Sequence, residues 1–432
     1  MKIQRRKLLL ILLITIFISI LYIIYPSSVN AQEANFTIYS SGAVLLESST
    51  GKMLYGKNEN EKLYPASTTK ILTAILAIEN CNLSDKITAS NTAITAIPSG
   101  YSNAAIQPGE TLTVQELLEL FLVHSANEVG YILAEHISEN VENFATLMNK
   151  KASELGCKNT HFTNPSGLHD TKHYTTAYDM ALIARYCMKN ETFRTIVSET
   201  SCTIKATDKY QERYFKNTND LINPSSKYYY KYAIGIKTGF TSQAKNCLIS
   251  ASQKDGLELI AVALGAEATE DGRSGRYMDS INLFEYGFSN YKKQQIANAN
   301  SVIDEITIEN ATKDTKNLSL LLKDNITALT PTNLDLKKLN YSIELNDNIS
   351  APIAEGDKLG KITYNIDGLT YSSDLIASHS VEESKNSLLI IQIICAIVVL
   401  LILIKLFSHK KKISKRKKSK KYKTNDSIYK FD

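Results

Sequence analysis

The feature that most limits how this chain can fold is an apolar run close to its C-terminus. Residues 388–404 are seventeen residues with only two mildly polar interruptions, and Leu406 and Phe407 extend the run to the length of a membrane span. A cluster of lysines and arginines follows at 409–418. Because basic residues beside a span stay on the cytoplasmic side, we expect residues from about 32 to 386 to lie outside the membrane and the tail to lie inside.

A second apolar run lies near the N-terminus. Four basic residues within the first seven precede the uncharged segment 8–24, and the small residues around Val29-Asn30-Ala31 are typical of a signal-peptidase site. We therefore predict a secretory signal over 1–31. An uncleaved membrane anchor is the alternative, since the run is long for a cleaved signal.

The net charge of +5 comes from the two ends of the chain. Residues 405–432 carry twelve Lys and Arg against two acids, so that residues 8–404 alone carry −9. A mildly acidic folded part gives no support for nucleic-acid binding. Five of the six cysteines lie outside the membrane segment without CxxC spacing, so disulfides are permitted there but not required.

Between the two apolar runs, the first part of the chain mixes short strands with amphipathic helices, and we predict an α+β or α/β domain over 35–290. A hairpin is expected at 42–55, and a helical face of aliphatic residues follows Pro65-Ala66-Ser67, which puts Ser67 at a helix start. A second buried helix is predicted from about Ser125, and Lys237 falls on or beside a strand edge.

From about residue 292 the pattern changes to short β-like runs. Asp367-Gly368 is a hairpin signal between two of them, so 292–376 is predicted to be a small all-β domain. A polar linker over 377–387, a transmembrane helix over 388–407 and a basic cytoplasmic tail over 408–432 complete the predicted organisation.

Three short motifs occur in order along the predicted exported part: Ser67-Thr68-Thr69-Lys70, Ser125-Ala126-Asn127 and Lys237-Thr238-Gly239. Other SxxK and SxN matches occur in this chain, whereas Lys-Thr-Gly occurs once. Each motif alone is adequately explained as a helix cap, a solvated lysine or a turn. The three motifs predict a site because they occur together, in order, and each in a suitable structural position.

The residue types suit a serine nucleophile that uses lysine as its base. Ser67 and Lys70 are three apart on a helix and so share a face. A serine hydroxyl needs an adjacent base, and Lys70 can serve only when partly neutral. Desolvation and a nearby cation favour that state, and Lys237 is the candidate cation.

The remaining motif residues fit supporting roles. Ser125 would relay protons to the leaving amine, and Asn127 would orient Lys70 or the substrate amide. Lys237 and Thr238 would hold a substrate carboxylate. The backbone N–H groups of Ser67 and Phe240 would form an oxyanion hole.

A histidine cluster raises the alternative of a zinc peptidase. His161, His169 and His173 lie close together in sequence, but HExxH is absent and the stretch is irregular, so we expect no metal. His173 is expected instead to order the loop under the site.

At this point the chain resembles a known family, the serine D-Ala-D-Ala carboxypeptidases, which are low-molecular-mass penicillin-binding proteins resembling penicillin-binding protein 5. The resemblance covers most of residues 37–376. It rests on the three motifs together with Ser49-Thr50-Gly51-Lys52-Met53-Leu54-Tyr55, Glu128, Asn164-Pro165-Ser166-Gly167-Leu168, His173-Tyr174-Thr175-Thr176-Ala177-Tyr178-Asp179, Gly235-Ile236, Phe240-Thr241 and Arg276.

The resemblance implies an α+β architecture with a penicillin-recognising transpeptidase/β-lactamase-like catalytic domain and a small all-β domain, to which the apolar run adds the predicted C-terminal transmembrane helix. It implies that Ser67 is acylated, that Lys70 is the base, that Ser125 and Asn127 form the second motif, and that Lys237-Thr238-Gly239 binds the carboxylate near Arg276. Phe240 departs from members that have histidine there. The anchor also departs, because better-known members use an amphipathic surface helix.

The resemblance further implies peptidoglycan pentapeptide stems as substrate and β-lactams as acylating mimics. The C-terminal helix and its basic tail predict membrane lipid as a partner, and we expect no cofactor. Two alternatives remain open at this stage. A β-lactamase would need a deacylating Glu-x-x-Leu-Asn element, and the nearest match, Glu139 with Asn143, has Glu142 in place of Leu. A wall-binding or β-lactam-sensing membrane protein is the non-enzyme alternative.

Overall fold

The computed structural model describes residues 35–423, with side chains over 35–384 and 389–408. The described residues divide into two compact units. One comprises 35–293 with 329–334, and the other comprises 294–328 with 335–423.

The first unit contains both strands and helices, and strands dominate the second. The strands are Gly42–Glu47 (β1), Met53–Lys57 (β2), Lys86–Thr88 (β3), Thr111–Thr113 (β4), Ser201–Ile204 (β5), Arg213–Lys216 (β6), Ala233–Thr241 (β7), Lys245–Lys254 (β8), Leu257–Ala266 (β9), Tyr291–Ala297 (β10), Val302–Thr307 (β11), Asn317–Leu322 (β12), Ile326–Pro331 (β13), Tyr341–Leu345 (β14), Lys358–Ile366 (β15) and Leu369–Ala377 (β16). The helices are Lys70–Asn80 (α1), Asn91–Thr95 (α2), Val114–Glu119 (α3), Asn127–Ser138 (α4), Val141–Glu154 (α5), Ala177–Cys187 (α6), Glu191–Ser198 (α7), Gly275–Asn290 (α8) and Lys385–Lys423 (α9).

The first unit is built on an antiparallel sheet of five strands in the order β2-β1-β9-β8-β7. Every residue of β1 is buried, because both faces of the sheet are covered. Val44 and Leu46 join the large helical core on one face. On the other face a Cβ on Gly287 of α8 would lie 2.9 Å from Leu45, so this helix lies directly against the sheet. β7 is the edge strand.

Helix α1 runs through the middle of the core. All residues from Lys70 to Ala77 are buried, which leaves the helix no solvent-facing side until its last turn. Ser67 precedes α1 in a 3-10 turn, Ala66–Thr69. The hydroxyl-bearing residue is thereby anchored to the most enclosed helix of the unit.

The second unit contains an antiparallel sheet of five strands in the order β11-β12-β16-β15-β14. Ile366 pairs with Leu369 across a two-residue turn, in which Asp367 has φ 49° and Gly368 has φ 80°. Positive φ at both central residues is the turn geometry that Asp-Gly favours between twisted strands. The α+β prediction, with an all-β second part, is confirmed.

The last described element is a single long helix, α9. Its segment Leu389–Ser408 is 20 residues long with a mean hydropathy of 3.1, long and apolar enough to cross a bilayer. Before α9, Val381 and Glu383 form β-bridges with Ile353 and Ala311, so the predicted linker is partly attached to the β-rich unit. The predicted signal at 1–31 and the tail beyond residue 423 lie outside the described residues.

Candidate active site

Ser67 and Lys70 are in direct contact where the 3-10 turn meets α1. Lys70 Nζ lies 2.8 Å from Ser67 Oγ, within hydrogen-bond distance. The Lys70 side chain has no exposed surface. Burial and the nearby Lys237 ammonium together hold the pKa of Lys70 well below its usual range. A buried lysine of this kind is available in its neutral, proton-accepting form.

Two hydrogen-bond acceptors fix the position of the Lys70 amine. Its Nζ lies 2.7 Å from Asn127 Oδ1 and 2.9 Å from the Ser166 carbonyl oxygen. Gly167 is required beside this carbonyl, because its φ is +81° and a Cβ there would lie 1.8 Å from Ala66 O. The Asn-Pro-Ser-Gly-Leu segment is therefore packed directly under the Ser67 turn.

Ser125 has a left-handed backbone with φ 72°, directly after a π-helical turn at Leu120–His124. The helix predicted to start near Ser125 begins at Asn127, since a left-handed residue cannot belong to a right-handed helix. Asn127 then turns its amide in two directions: Oδ1 accepts from Lys70, and Nδ2 donates to Ser102 O at 2.8 Å.

Lys237 lies on the edge strand β7, as expected from the sequence, but its side chain is only 1% exposed. Its Nζ lies 3.2 Å from Thr238 O and 3.4 Å from Thr218 Oγ1. Burial and the nearby Arg276 guanidinium lower the pKa of Lys237 to about 7. Thr238 Oγ1 donates to the same Thr218 hydroxyl at 2.7 Å, which turns both motif side chains toward one point.

Gly239 allows the edge strand to approach the Ser67 turn. A Cβ at this position would lie 3.0 Å from Pro65 O and 3.1 Å from Ser67 N, so a larger residue would push the two elements apart. Arg276, at the start of α8, donates to Gly239 O at 3.2 Å and to the Tyr277 hydroxyl at 3.2 Å. Phe240 follows with its side chain 63% exposed.

These elements surround an open cleft of about 530 Å³. Seven of the nine residues singled out from the sequence line it: Ser67, Ser125, Asn127, Thr238, Gly239, Phe240 and Arg276. The other two, Lys70 and Lys237, lie buried behind the lining and contact it through hydrogen bonds. No aspartate or glutamate is among the described residues that line the cleft, so it suits an anionic ligand.

The three histidines take separate positions. His173 is buried, with Nε2 2.8 Å from Thr69 Oγ1 and Nδ1 accepting from Thr163 N at 3.1 Å. Burial lowers the pKa of His173 to about 3, so the ring is neutral. His161 bonds Lys172 O, and His169 packs edge-on against Tyr64. Over 35–423 no group of three or more His, Cys, Asp or Glu is arranged to hold a metal ion.

Four residues of the site were not assigned a role from the sequence: Thr218, Ser102, Ser166 and Glu128. Ser166 and Glu128 lie inside or beside motifs that carried the family resemblance, and that position was the available signal. Thr218 and Ser102 reach the site from loops with no motif, so only the fold brings them there. Glu139 and Asn143, the nearest match to a β-lactamase deacylation element, are exposed and do not line the cleft.

Comparison with known proteins bears directly on this arrangement. The Peptidase S11 family, described as D-alanyl-D-alanine carboxypeptidase, matches residues 28–268. The penicillin-binding protein 5 C-terminal domain matches residues 291–383.

This chain belongs to the D-alanyl-D-alanine carboxypeptidase family. It is 34% identical over 336 residues to the D-alanyl-D-alanine carboxypeptidase DacF of Bacillus subtilis, covering 75% of this chain and 82% of that protein. Penicillin-binding protein 5 from Haemophilus influenzae has a similar structure, with a TM-score of 0.62 and 28% identity, over 82% of this chain and all (100%) of that one. The Streptomyces K15 DD-transpeptidase gives a TM-score of 0.54 at 31% identity, over 59% of this chain and 98% of its own.

Membership in this carboxypeptidase family confirms the resemblance inferred from the motifs and the assignment of the chain as a serine peptidase. The family acts on peptidoglycan peptide stems and binds β-lactams. The C-terminal apolar helix is consistent with the membrane association of its relatives.

Proposed function

We propose that this carboxypeptidase removes the terminal D-Ala from peptidoglycan pentapeptide stems through an acyl-enzyme on Ser67. The observation that carries the proposal is the 2.8 Å contact between Ser67 Oγ and the fully buried amine of Lys70, at the floor of an open cleft. A nucleophile next to a desolvated base is the arrangement that acyl transfer requires.

In the proposed acylation, neutral Lys70 takes the proton of Ser67 as Oγ attacks the carbonyl carbon of the penultimate D-Ala. The tetrahedral oxyanion would be held by the backbone N–H groups of Ser67 and Phe240, a contribution of about 3–4 kcal/mol per donor in the best measured case. Collapse breaks the peptide C–N bond, and the proton passes through Ser125 to the departing amine of D-Ala. The Ser67 ester remains until water hydrolyses it.

The substrate carboxylate is assigned to the cationic side of the cleft. Lys237, Thr238 and Arg276 converge there, and burial together with the nearby Arg276 guanidinium lowers the pKa of Lys237. An incoming carboxylate would relieve the repulsion between Lys237 and Arg276, because it pairs with both cations at once. This site would select a free C-terminus, since Arg276 lines the cleft, Lys237 lies directly behind it, and no acid is among the described lining residues.

Topology is part of the proposal. Residues 1–31 act as an export signal, 35–290 form the catalytic domain and 292–376 form the β-rich domain, with a span at 388–407 and a cytoplasmic tail at 408–432. The excess of Lys and Arg after the span supports this orientation, and the tail would also contact anionic lipid. External protease on intact cells should digest the chain and spare a tag on residue 432; loss of the tag would refute the orientation.

The catalytic proposal is tested by mass spectrometry of the purified protein with penicillin and with a D-Ala-D-Ala pentapeptide. With penicillin we expect a covalent adduct on Ser67 and slow release of the penicilloyl group. With the pentapeptide we expect one free D-Ala for each peptide cleaved. Ser67→Ala should abolish the penicilloyl adduct and the formation of D-Ala, while Ser289→Ala, which alters an exposed SxxK serine, should leave the adduct and the formation of D-Ala unchanged. Rapid penicillin turnover would indicate the β-lactamase, and a wild-type protein that forms no adduct would overturn the proposal.

A further inference from the structure

Glu128 is a buried carboxylate that the proposed mechanism leaves without a role. It occupies the first turn of α4, directly after Asn127, and is 2% exposed. Its Oε1 accepts a hydrogen bond from Ala104 N at 2.6 Å. Its Oε2 has no hydrogen-bond partner among the described residues. An ionisable group buried with half of its bonding capacity unused carries a large desolvation cost, which invites a functional explanation.

The contact with Ala104 is one side of a clamp. The Ala104 carbonyl accepts from Arg213 Nη1 at 3.1 Å, and Arg213 is paired with the buried Glu110. Ala105, the next residue, has φ 56°, a conformation that alanine adopts at a cost. Such a backbone persists only where its surroundings fix it, and Glu128 and Arg213 provide that fixation.

The clamped segment continues into a wall of the cleft. Ser102 and its neighbours Gly100 and Tyr101 line the cleft, and Ser102 O accepts from both Asn127 N at 3.0 Å and Asn127 Nδ2 at 2.8 Å. Consecutive residues of α4 thus hold this wall: Asn127 at Ser102 and Glu128 at Ala104. Asn127 also holds Lys70, so the base and the wall share one support.

Glu128 also balances charge around Lys70. The ammonium of Lys237 disfavours a proton on Lys70, whereas the carboxylate of Glu128 favours it. Burial raises the pKa of Glu128, and the N–H group of Ala104 together with Lys70 opposes that rise. Of the other charged or titratable groups nearby, Arg276 and His124 interact with Lys237, and Arg213 and Glu110 lie across Ala104.

We propose that Glu128 is a positioning residue of this active site, which holds the Ser102 wall and supplies the negative charge that lets Lys70 accept the proton of Ser67. The inference rests on the proposed acylation of Ser67. When Lys70 takes that proton, a second cation forms beside Lys237 in a buried setting. The Glu128 carboxylate offsets it, so the proton transfer does not place two unbalanced charges in the core.

The pH dependence of acylation tests the charge of Glu128 separately from its hydrogen bond with Ala104. Glu128→Gln keeps an oxygen that can accept from Ala104 N but removes the charge. Lys70 should then lose its proton more easily, so the acid limb of the penicillin acylation rate should move down by about 1 pH unit, with a lower plateau because the base is weaker. Glu135→Gln, the same change two turns further along α4, should leave the limb in place. An unmoved or raised limb in Glu128→Gln would overturn the charge role.

A second variant tests the wall. Glu128→Asp keeps the charge but withdraws the carboxylate from Ala104 by one methylene. We expect KM for the D-Ala-D-Ala pentapeptide to rise about three- to tenfold, with the acid limb nearer to wild type than that of Glu128→Gln. An unchanged KM would refute the wall role, and this measurement stands even if Glu128→Gln does not fold.

All rates are expressed per molecule that titrates with penicillin, so partial unfolding cannot imitate either effect. The outcomes also separate this inference from the proposed function. A wild-type protein that is never acylated at Ser67 refutes the function itself. Normal acylation of wild type combined with wild-type pH profile and KM in both variants refutes only the role of Glu128.

Discussion

The two units of this carboxypeptidase differ in whether they bury charged side chains. The 35–293 unit buries Lys70, Lys237 and Glu128 around its cleft, together with the Glu110 and Arg213 pair. In the β-rich unit, no charged side chain among the described residues is buried, and its ion pairs lie at the surface. Burying charge costs stability, and a β-sheet does not require it. The catalytic unit therefore gives up stability for a preorganised site, whereas the β-rich unit does not.

The largest loss of stability is expected from removing one member of the buried Glu110–Arg213 pair. Arg213→Met leaves the buried Glu110 without its ion-pair partner and frees the Ala104 carbonyl, so we expect a loss of about 3–5 kcal/mol in the free energy of unfolding. Urea denaturation of the catalytic unit's transition measures it. The double variant Arg213→Met with Glu110→Leu should recover most of the loss, because no unpaired charge remains.

An exposed pair gives the matched control for this experiment. Arg273 and Asp271 form an ion pair in the same unit, with both side chains about half exposed. Arg273→Met should leave the unfolding midpoint close to wild type. Equal losses in Arg213→Met and Arg273→Met would show that burial is not what makes the Glu110 pair important.

Local patterns were sufficient to predict much of this architecture. The aliphatic residues after Pro65 predicted α1, because their spacing near 3.6 residues places them on one face of a helix, although in the structure every side of α1 is buried until its last turn. Asp367-Gly368 predicted its hairpin, because few other dipeptides accept positive φ twice in succession. Lys237 was predicted at a strand edge from the β-like runs around it. In each case the physical cause acts within a few residues of the chain.

Other features depend on contacts between distant segments and left no local signal. The left-handed backbone of Ser125 ends a π-helical turn, and the helical period downstream could not reveal it. Thr218 meets Lys237 and Thr238 only because β7 folds beside it. The clamp on Ala104 joins residues more than twenty positions apart, so its charges were visible in the sequence but their pairing was not.

A pH titration of substrate affinity would test what the buried charge of Lys237 does in the catalytic unit. The pKa of Lys237 is lowered to about 7, so the amine is cationic below that pH and loses its charge above it. Because the proposed carboxylate site uses this cation, KM for the pentapeptide should rise up to about tenfold per pH unit above neutrality, until Arg276 alone remains. Steady-state kinetics at pH 6–9 measure this rise.

Lys237→Arg provides the control for this titration, since a guanidinium keeps its charge across the range. Its KM should be higher than that of wild type at neutral pH but should not rise further with pH. A rise of the same steepness in both proteins would show that another group governs carboxylate binding.

The smallest effect is expected from the β-rich unit. Lys358 Nζ lies 2.7 Å from Asp374 Oδ1, and Lys323 lies 3.8 Å from the other oxygen, but both lysines are more than half exposed. The hydrogen bond from Lys358 holds the pKa of Asp374 below its usual range, so the contribution of the pair exists at neutral pH and is lost as the pH falls through that pKa. Water and salt screen such pairs, so Lys358→Ala should shift the Tm by no more than about 1 °C, and about 1 M NaCl should remove even that difference.

The loss of unfolding free energy in Arg213→Met should persist in the same salt, because its lone carboxylate is buried. A salt-resistant loss in Lys358→Ala would mean that the β-rich unit also depends on charge that solvent cannot screen, and the contrast between the units would fail.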